Sequence, residues 1–246
     1  MASIKQLVKK QKQKKPRAKS SKPRVRNQDR WFLKQLDGVL GYTRPWKAVQ
    51  KFYPSALGNP CDRYLYFAYH GGLPSQKVTP QLQRIFDTGG AFEVRMEKYL
   101  RKAGLFIAAE QTLKFDNPPI SGRYDFLIRY KEADRAIVEL KTINTRGFEN
   151  LIDQPKPEHV IQLQIYLNLM GLKHGLVVYE NKNDQDIKAF KVARDKKVWD
   201  DILERCIRIM NMAPSEVPLE CTGEFYCACR EVKDENRNQA NHMESN

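Results

Sequence analysis

Asp125, Glu139 and Lys141 fall in strand-like segments that are otherwise largely apolar. In Gly122-Arg123-Tyr124-Asp125-Phe126-Leu127-Ile128, an alternation of period 2 puts Tyr124, Phe126 and Ile128 on one face and Asp125 with Leu127 on the other. In Ile137-Val138-Glu139-Leu140-Lys141, Val138 and Leu140 share a face and Glu139 and Lys141 share the opposite one. If the two strands are neighbours, an Asp, a Glu and a Lys converge at one point of a cleft. Buried charge needs partners. Carboxylates are hard oxygen ligands suited to Mg²⁺ or Mn²⁺, and such an ion polarises a phosphoryl oxygen and acidifies a bound water. The ammonium would then orient the water and stabilise charge on the phosphate. The competing reading is an ordinary cross-strand salt bridge.

Two helices carry further polar residues on apolar faces. Residues 157–170 start at Pro157 and contain His159-Val160-Ile161-Gln162-Leu163-Gln164-Ile165-Tyr166. His159, Gln162 and Tyr166 stand at i, i+3 and i+7, on one face. Gln162 and Gln164 in so apolar a helix need partners if they are buried. Residues 80–103 form a long helix with Pro80 near its start and Gly104 as its cap. Leu82, Ile85, Gly89, Met96 and Leu100 make an inward stripe at helical spacing, and Glu93 falls on it. An inward carboxylate there is an anomaly that a third metal-site acid would explain.

Asp125, thirteen intervening residues and then Glu139-Leu140-Lys141 resemble the D-(x)n-ExK signature of the PD-(D/E)XK nuclease superfamily. The His159–Tyr166 segment resembles the HxxQxxxY helix of its RecB-like branch. Pro54-Ser55-Ala56-Leu57-Gly58 through Cys61-Asp62-Arg63 is similar to the N-terminal C-x-R segment of RecB-like and bacteriophage exonuclease-type members, and Tyr179-Glu180-Asn181-Lys182 is similar to phage members. The resemblance spans about residues 53–230. It implies divalent-metal-dependent hydrolysis of DNA phosphodiester bonds, usually exonucleolytic, in replication, recombination or repair. Position by position, it implies Asp125 and Glu139 as ligands of Mg²⁺ or Mn²⁺ with the Leu140 carbonyl assisting. Lys141 would position the water and Glu93 would be the helix acid. Gln162 and Tyr166 would face DNA or support the site.

Some members of this family hold a [4Fe–4S] cluster on one N-terminal and three C-terminal cysteines, which would here be Cys61 with Cys221, Cys227 and Cys229. The C-x5-C-x-C spacing departs from the family's more usual C-x2-C with a longer gap. Zinc is the second possibility, and unligated cysteines the third, with Cys61 packed as a small hydrophobe. Cys206 falls among Ile202, Leu203, Ile209 and Met210 of a last amphipathic helix and reads as core.

The elements that must position these residues follow from period and punctuation. Residues 31–41 read as a short amphipathic helix, 54–60 as a loop, and Cys61 to Tyr69 as the start of a helix. Residues 105–115 and 122–130 read as strands split by Asn117-Pro118-Pro119, and 135–142 as a third strand. The 157–170 helix, strands at 175–181 and 186–193, and a helix at 195–212 complete the order. A meander, a crossover helix and further strands predict an α/β fold, a mixed central sheet flanked by helices, which the resemblance implies is the restriction-endonuclease-like core.

The 246 residues suffice for one domain with a substantial core. The formal net charge is +14, unevenly spread. Residues 1–30 carry twelve Lys and Arg against the single acid Asp29, whereas the other 216 residues hold 31 basic and 28 acidic side chains. Residues 1–28, rich in Lys and broken by Pro16 and Pro23, predict a disordered arm that binds polyanions by counterion release; a solubilising tail is the plainer alternative. Residues 29–232 are the expected nuclease domain and 233–246 a frayed polar tail. No apolar run approaches the roughly 20 residues of a membrane span, the N-terminal residues lack the apolar region of about 7–15 residues expected of a secretory signal, and the five cysteines are an odd count. A cytoplasmic location is therefore expected, that of the bacterial host if the chain is phage-encoded. The leading expectation is a DNA exonuclease acting on single strands or duplex ends. A structure-specific endonuclease or resolvase and a non-catalytic DNA-binding protein on a nuclease fold are the alternatives.

Overall fold

The protein is described by a computed structural model over residues 29–131, 134–223 and 227–232. The two expected tails, 1–28 and 233–246, lie outside the described residues. The chain divides into two units, Met1–Val39 and Leu40–Asn246. The described part of the first unit is helix α1 (Arg30–Gly38), opened by Asp29, whose Oδ1 accepts the Phe32 N–H at 3.0 Å. No residue of α1 is buried.

The second unit is an α/β fold. It begins with β1 (Tyr42–Arg44), the one-turn helix α2 (Pro54–Leu57), α3 (Asp62–His70), β2 (Gln76–Val78) and the 23-residue α4 (Pro80–Lys102). The sheet-forming part follows: β3 (Phe106–Ala109), β4 (Thr112–Phe115), β5 (Ile120–Arg123), β6 (Phe126–Tyr130) and β7 (Asp134–Ile143). Then come α5 (Thr145–Glu149), α6 (Pro157–Met170), β8 (His174–Asn181), β9 (Ile187–Ala193) and α7 (Lys196–Asn211). The central sheet has the order β3-β6-β7-β8-β9. All its pairs are antiparallel except β7 with β8, where Glu139 lies opposite Val177. A parallel pair requires a crossover, and α5 and α6 supply it.

Strand β7 sits in the middle and is buried on both faces over Ala136–Leu140, as its apolar composition requires. Ala136, Val138 and Leu140 pack with Phe126, Ile128 and Val178 against Phe92 and Leu100 of α4. Ile137 packs on the other face with Leu127, Val177 and Tyr179 against Leu163, Tyr166 and Leu167 of α6. Alternation along β7 therefore sends Glu139 and Lys141 to the α6 face. A third layer, with Leu57, Leu65, Ile202, Cys206 and Ile209, covers the far side of α6 at Ile165. Helix α6 is thus enclosed on two sides. Six consecutive residues, Gln162 to Leu167, are buried, and the helix shows no clean apolar stripe.

Four sequence expectations change. The expected strand 105–115 is two strands. β3 joins the central sheet with a bulge between Phe106 and Ala108, Glu110 turns the chain at φ 53°, and β4 leaves to pair with β5 in a separate ribbon. The expected strand 122–130 breaks likewise at Tyr124-Asp125, where the chain passes from ribbon to sheet. Period 2 does not carry across that break, so Tyr124 packs with Leu127 on the α6 face and not with Phe126 and Ile128. On α4 the inward stripe holds only in the C-terminal half: Phe92 and Leu100 are buried, whereas Ile85 is 43% and Phe86 48% exposed. Finally, the expected loop at 54–60 contains α2, with Pro54 in its first turn.

Candidate active site

Asp125 is held by the strand break itself. Its Oδ2 accepts the Leu140 N–H at 2.6 Å, and its carbonyl accepts the Glu110 N–H at 3.1 Å. The break is braced from α6, where the Tyr166 hydroxyl donates to the Arg123 carbonyl at 2.9 Å. Gly122 makes that approach possible: a Cβ there would lie 2.5 Å from Pro54 Cδ and Cγ and 3.0 Å from the Tyr166 hydroxyl. Asp125 thus reaches the backbone between Glu139 and Lys141, and those two residues share one face as the alternation along β7 requires.

Glu139 is 1% exposed. Its Oε1 accepts from Lys141 Nζ at 2.6 Å, and its Oε2 has no hydrogen-bond partner among the described residues. A buried carboxylate oxygen left unpaired is costly. Burial pushes the Asp125 carboxyl up to about 7; the Glu139 charge adds to this, and the Leu140 N–H and Lys141 oppose it. Burial raises Glu139 as well, against the pull of Lys141 and with a contribution from Glu93. Glu93, on α4, is raised by burial and then by the charges of Asp125 and Glu110. Each of these acids therefore feels at least one of the others. A site that crowds anionic groups and leaves an oxygen unpaired is short of positive charge. Its donor set, all hard oxygen, fits a divalent cation of the Mg²⁺ or Mn²⁺ kind.

Helix α6 supplies the supporting layer. Gln162 is buried and hydrogen-bonds to Tyr166, whose hydroxyl is raised by burial and by the charges of Glu139 and Asp125. Gln164 is a fastener: its Nε2 donates to the Ala193 carbonyl at 2.7 Å, and its Oε1 accepts the Asp195 N–H at 2.8 Å. Sequence reasoning missed Tyr179 as the partner of His159. Its hydroxyl accepts the Lys156 N–H at 2.9 Å and lies 2.7 Å from His159 Nδ1. Burial, with Lys141 and Lys156 nearby, lowers His159 to about 3, so the imidazole is neutral. Also missed was the ion pair between Arg95 on α4 and the buried Glu180 on β8. Nothing in the spacing of residues 85 apart signals that pair.

The cysteines converge elsewhere. The thiol sulfurs of Cys61, Cys221, Cys227 and Cys229 all lie within 4.8 Å of one another. Cys61 Sγ is 3.8 Å from Cys221 and 3.5 Å from Cys229, and Cys227 is 3.5 Å from Cys229. Burial works against ionisation of Cys61, but hydrogen bonds from the Tyr64 N–H and from neighbouring thiols outweigh it and bring the group to about 7. Burial raises Cys227 and Cys229. Cys206 belongs to the apolar layer under α6, where burial pushes its thiol up to about 12.

No protein-family model matches the sequence, and no curated protein matches it. Among solved structures the chain is similar to SSO0001, with 20% identity over 70% of this chain and 81% of that one and a TM-score of 0.47. It is similar also to LHK-Exo, an alkaline exonuclease of Laribacter hongkongensis, at 16% identity over 72% and 90% of the two chains and a TM-score of 0.48. LHK-Exo has also been solved in complex with dAMP. A phage related exonuclease from Haemophilus somnus 129PT aligns at 17% identity over 51% and 68%, with a TM-score of 0.39.

Proposed function

We propose that this protein is a divalent-metal-dependent nuclease of the PD-(D/E)XK kind, RecB-like in character, that hydrolyses DNA phosphodiester bonds from strand ends. One observation carries the reading. Asp125 is bonded to the Leu140 N–H, Lys141 is bonded to Glu139, and the buried Glu139 keeps an oxygen with no hydrogen-bond partner among the described residues. Asp125 and Glu139, with the Leu140 carbonyl, would hold Mg²⁺ or Mn²⁺, and Glu93 would contribute its carboxylate from α4. When bound, such an ion polarises the phosphate and lowers the pKa of water.

The chain's own residues do the rest. Lys141 Nζ orients the attacking water and balances charge developing on the phosphate. Tyr166 and Gln162 fix the strand break from below, and the Tyr166 hydroxyl keeps Arg123 and Asp125 in place. A basic arm of residues 1–28 would add sequence-independent affinity for DNA, and 233–246 would be a polar tail. The work would be done in the cytoplasm, in replication, recombination or repair of a phage type. Among the described residues no helix is long and apolar enough to cross a membrane.

The test is digestion of end-labelled linear and of circular DNA, with and without Mg²⁺ or Mn²⁺, by the wild type and by Glu139→Ala. Metal-dependent loss of the linear substrate alone, absent in the variant, supports the exonuclease. Cutting of circles would make it an endonuclease, and inactivity of the wild type on both would leave a DNA-binding protein.

A further inference from the structure

The four converging thiols can be tested against the groups they might hold by distance alone. They are not disulfides, since 3.5 Å and 3.8 Å far exceed the about 2 Å of an S–S bond. A [4Fe–4S] cubane, the group implied by the family resemblance, keeps its ligating sulfurs apart: each thiolate stands outside an iron corner, so neighbouring sulfurs are roughly 6 Å from one another. The sulfurs here lie within 4.8 Å of one another, and the cubane does not fit between them. A single ion does. Four sulfurs at about 2.3 Å from a tetrahedral centre are about 3.8 Å apart, which falls in the observed range.

The surroundings agree with a closed site. Cys61, Cys227 and Cys229 are buried with Leu73, and Trp46, Tyr64, Phe67 and Val232 pack against them. Donors point at the sulfurs: the Tyr64 N–H reaches Cys61 Sγ at 3.4 Å, and Asn59 Nδ2 reaches Cys227 Sγ at 3.7 Å. Such bonds from outside the ligand set hold thiolates in place and offset their charge. Four protein sulfurs complete the tetrahedral coordination of a single ion, which is the mark of a structural site.

The site also has something to fasten. Cys61 caps the start of α3, and the other three cysteines come from a segment some 160 residues later. Among its described residues that segment has two short 3-10 turns, at Pro214–Glu216 and Ala228–Glu231, and no longer helix or strand. Apart from the cysteines it is tied to α3 by Arg63, which donates to the Pro218 carbonyl at 3.0 Å and to that of Val232 at 3.4 Å.

We propose that Cys61, Cys221, Cys227 and Cys229 hold one structural Zn²⁺, in place of an iron–sulfur cluster, and that this ion pins the C-terminal segment to the start of α3. Zinc suits four thiolates in a redox-inert tetrahedron. Its binding free energy becomes folding free energy for a segment whose described residues form little regular structure.

The experiment uses the full chain, expressed in iron-replete cells and purified anaerobically without a metal-chelating resin. Metal content, acid-labile sulfide, visible absorption and thermal midpoint are read, none of which depends on cleavage. The expected result is a colourless protein with about one zinc per chain and no sulfide. A thiol-blocking mercurial should release that zinc and lower the melting temperature. Cys229→Ser should fall to less than about a tenth of the wild-type zinc, whereas Cys206→Ser keeps it. Iron with sulfide and a brown colour would overturn the proposal in favour of the cluster. Iron without sulfide would overturn zinc as the ion. A metal-free protein whose melting is indifferent to added zinc would overturn the site altogether. If Cys229→Ser does not fold, stoichiometric zinc release from the wild type decides the matter.

Discussion

The Asp125 carboxylate accepts the backbone N–H of Leu140 at 2.6 Å, so an acid in the gap between two strands is locked to the peptide group that joins Glu139 to Leu140, one residue before Lys141. The side chains on either side of that peptide are thereby fixed relative to Asp125. The lock holds near each other two carboxylates whose ionisation burial opposes, which the proposed cation would bridge. In its absence they repel. Stability and chemistry should therefore respond to substitution with opposite signs.

In metal-free protein, Asp125→Asn and Glu139→Gln each keep a hydrogen-bond acceptor and remove a charge that burial disfavours. Both variants should melt higher than the wild type; about 1 kcal/mol corresponds to roughly 2–4 °C in a chain of this size. Lys141→Ala should melt lower, because it strips the partner from a buried carboxylate. All three should lose cleavage by at least about 10³-fold, and pairs of substitutions should lose little more than single ones if the residues act as a unit. Added Mg²⁺ should raise the wild-type melting temperature and leave Glu139→Gln unmoved. Differential scanning fluorimetry with and without the ion reads all of these signs, and wild-type cleavage in the three variants would remove the assignment.

His159 should make the fold acid-sensitive. Its folded pKa of about 3 lies below the ordinary value near 6.5. Below that value the unfolded chain takes up a proton that the folded chain refuses, so this group's contribution is complete above pH 6.5 and is lost as the pH falls. Between pH 8 and pH 5 the loss amounts to about 2 kcal/mol. Asp125 and Glu139, whose pKa values are raised, work in the opposite sense, so the comparison must be with a variant. Urea midpoints at the two pH values should fall less in His159→Gln than in the wild type. An equal fall would mean that His159 is protonated without penalty.

What the sequence made legible and what it did not differ for physical reasons. Alternation along β7 placed Glu139 and Lys141 on one face because that strand is regular from end to end. The same rule misplaced Tyr124, which lies in a break created by the departure of β4 and β5 from the sheet. That departure is decided by Gly122, Pro54 and Tyr166, residues brought together only by tertiary packing. Glu93 stood out as a carboxylate on an apolar stripe. The stripe itself was overextended, because the periodicity of α4 runs on through Ile85, beyond the sheet that buries Phe92 and Leu100. The four cysteines were legible as a set only through resemblance. Their mutual distances, which choose between one ion and a cluster, are beyond any spacing rule.

The basic arm should be separable from catalysis. Residues 1–28 hold eleven Lys and Arg and no acid. If about half of these cations contact phosphates, deleting the arm should flatten the slope of log affinity against log salt by about 4 on single strands. Cleavage at low salt should persist, since Asp125, Glu139 and Lys141 all lie in the second unit. Fluorescence anisotropy across a salt series reads the slope, and an unchanged slope would assign the arm to another partner.

Two glycines should respond to alanine with opposite signs. Gly122 sits where the ribbon meets α6. A methyl group there would be driven to 2.5 Å from the Pro54 ring and 3.0 Å from the Tyr166 hydroxyl, and neither can retreat freely: Pro54 begins α2, and the hydroxyl is bonded to the Arg123 carbonyl. Relief requires the ribbon to lift from α6, and Asp125 lies two residues past Arg123 at the foot of that ribbon. Gly122→Ala should therefore lower stability by about 1–3 kcal/mol, as overpacking does, and reduce cleavage by more than its stability loss explains. Gly90, in the middle of α4, meets nothing within 4 Å of an added Cβ, so Gly90→Ala should raise stability by roughly 0.5–1 kcal/mol through backbone entropy and leave cleavage unchanged. Denaturant titration and cleavage assays on both variants decide it. Should Gly122→Ala cleave at the wild-type rate while destabilised, the Tyr166 brace would be a matter of folding only, and Asp125 would owe its position to Leu140 and Glu110.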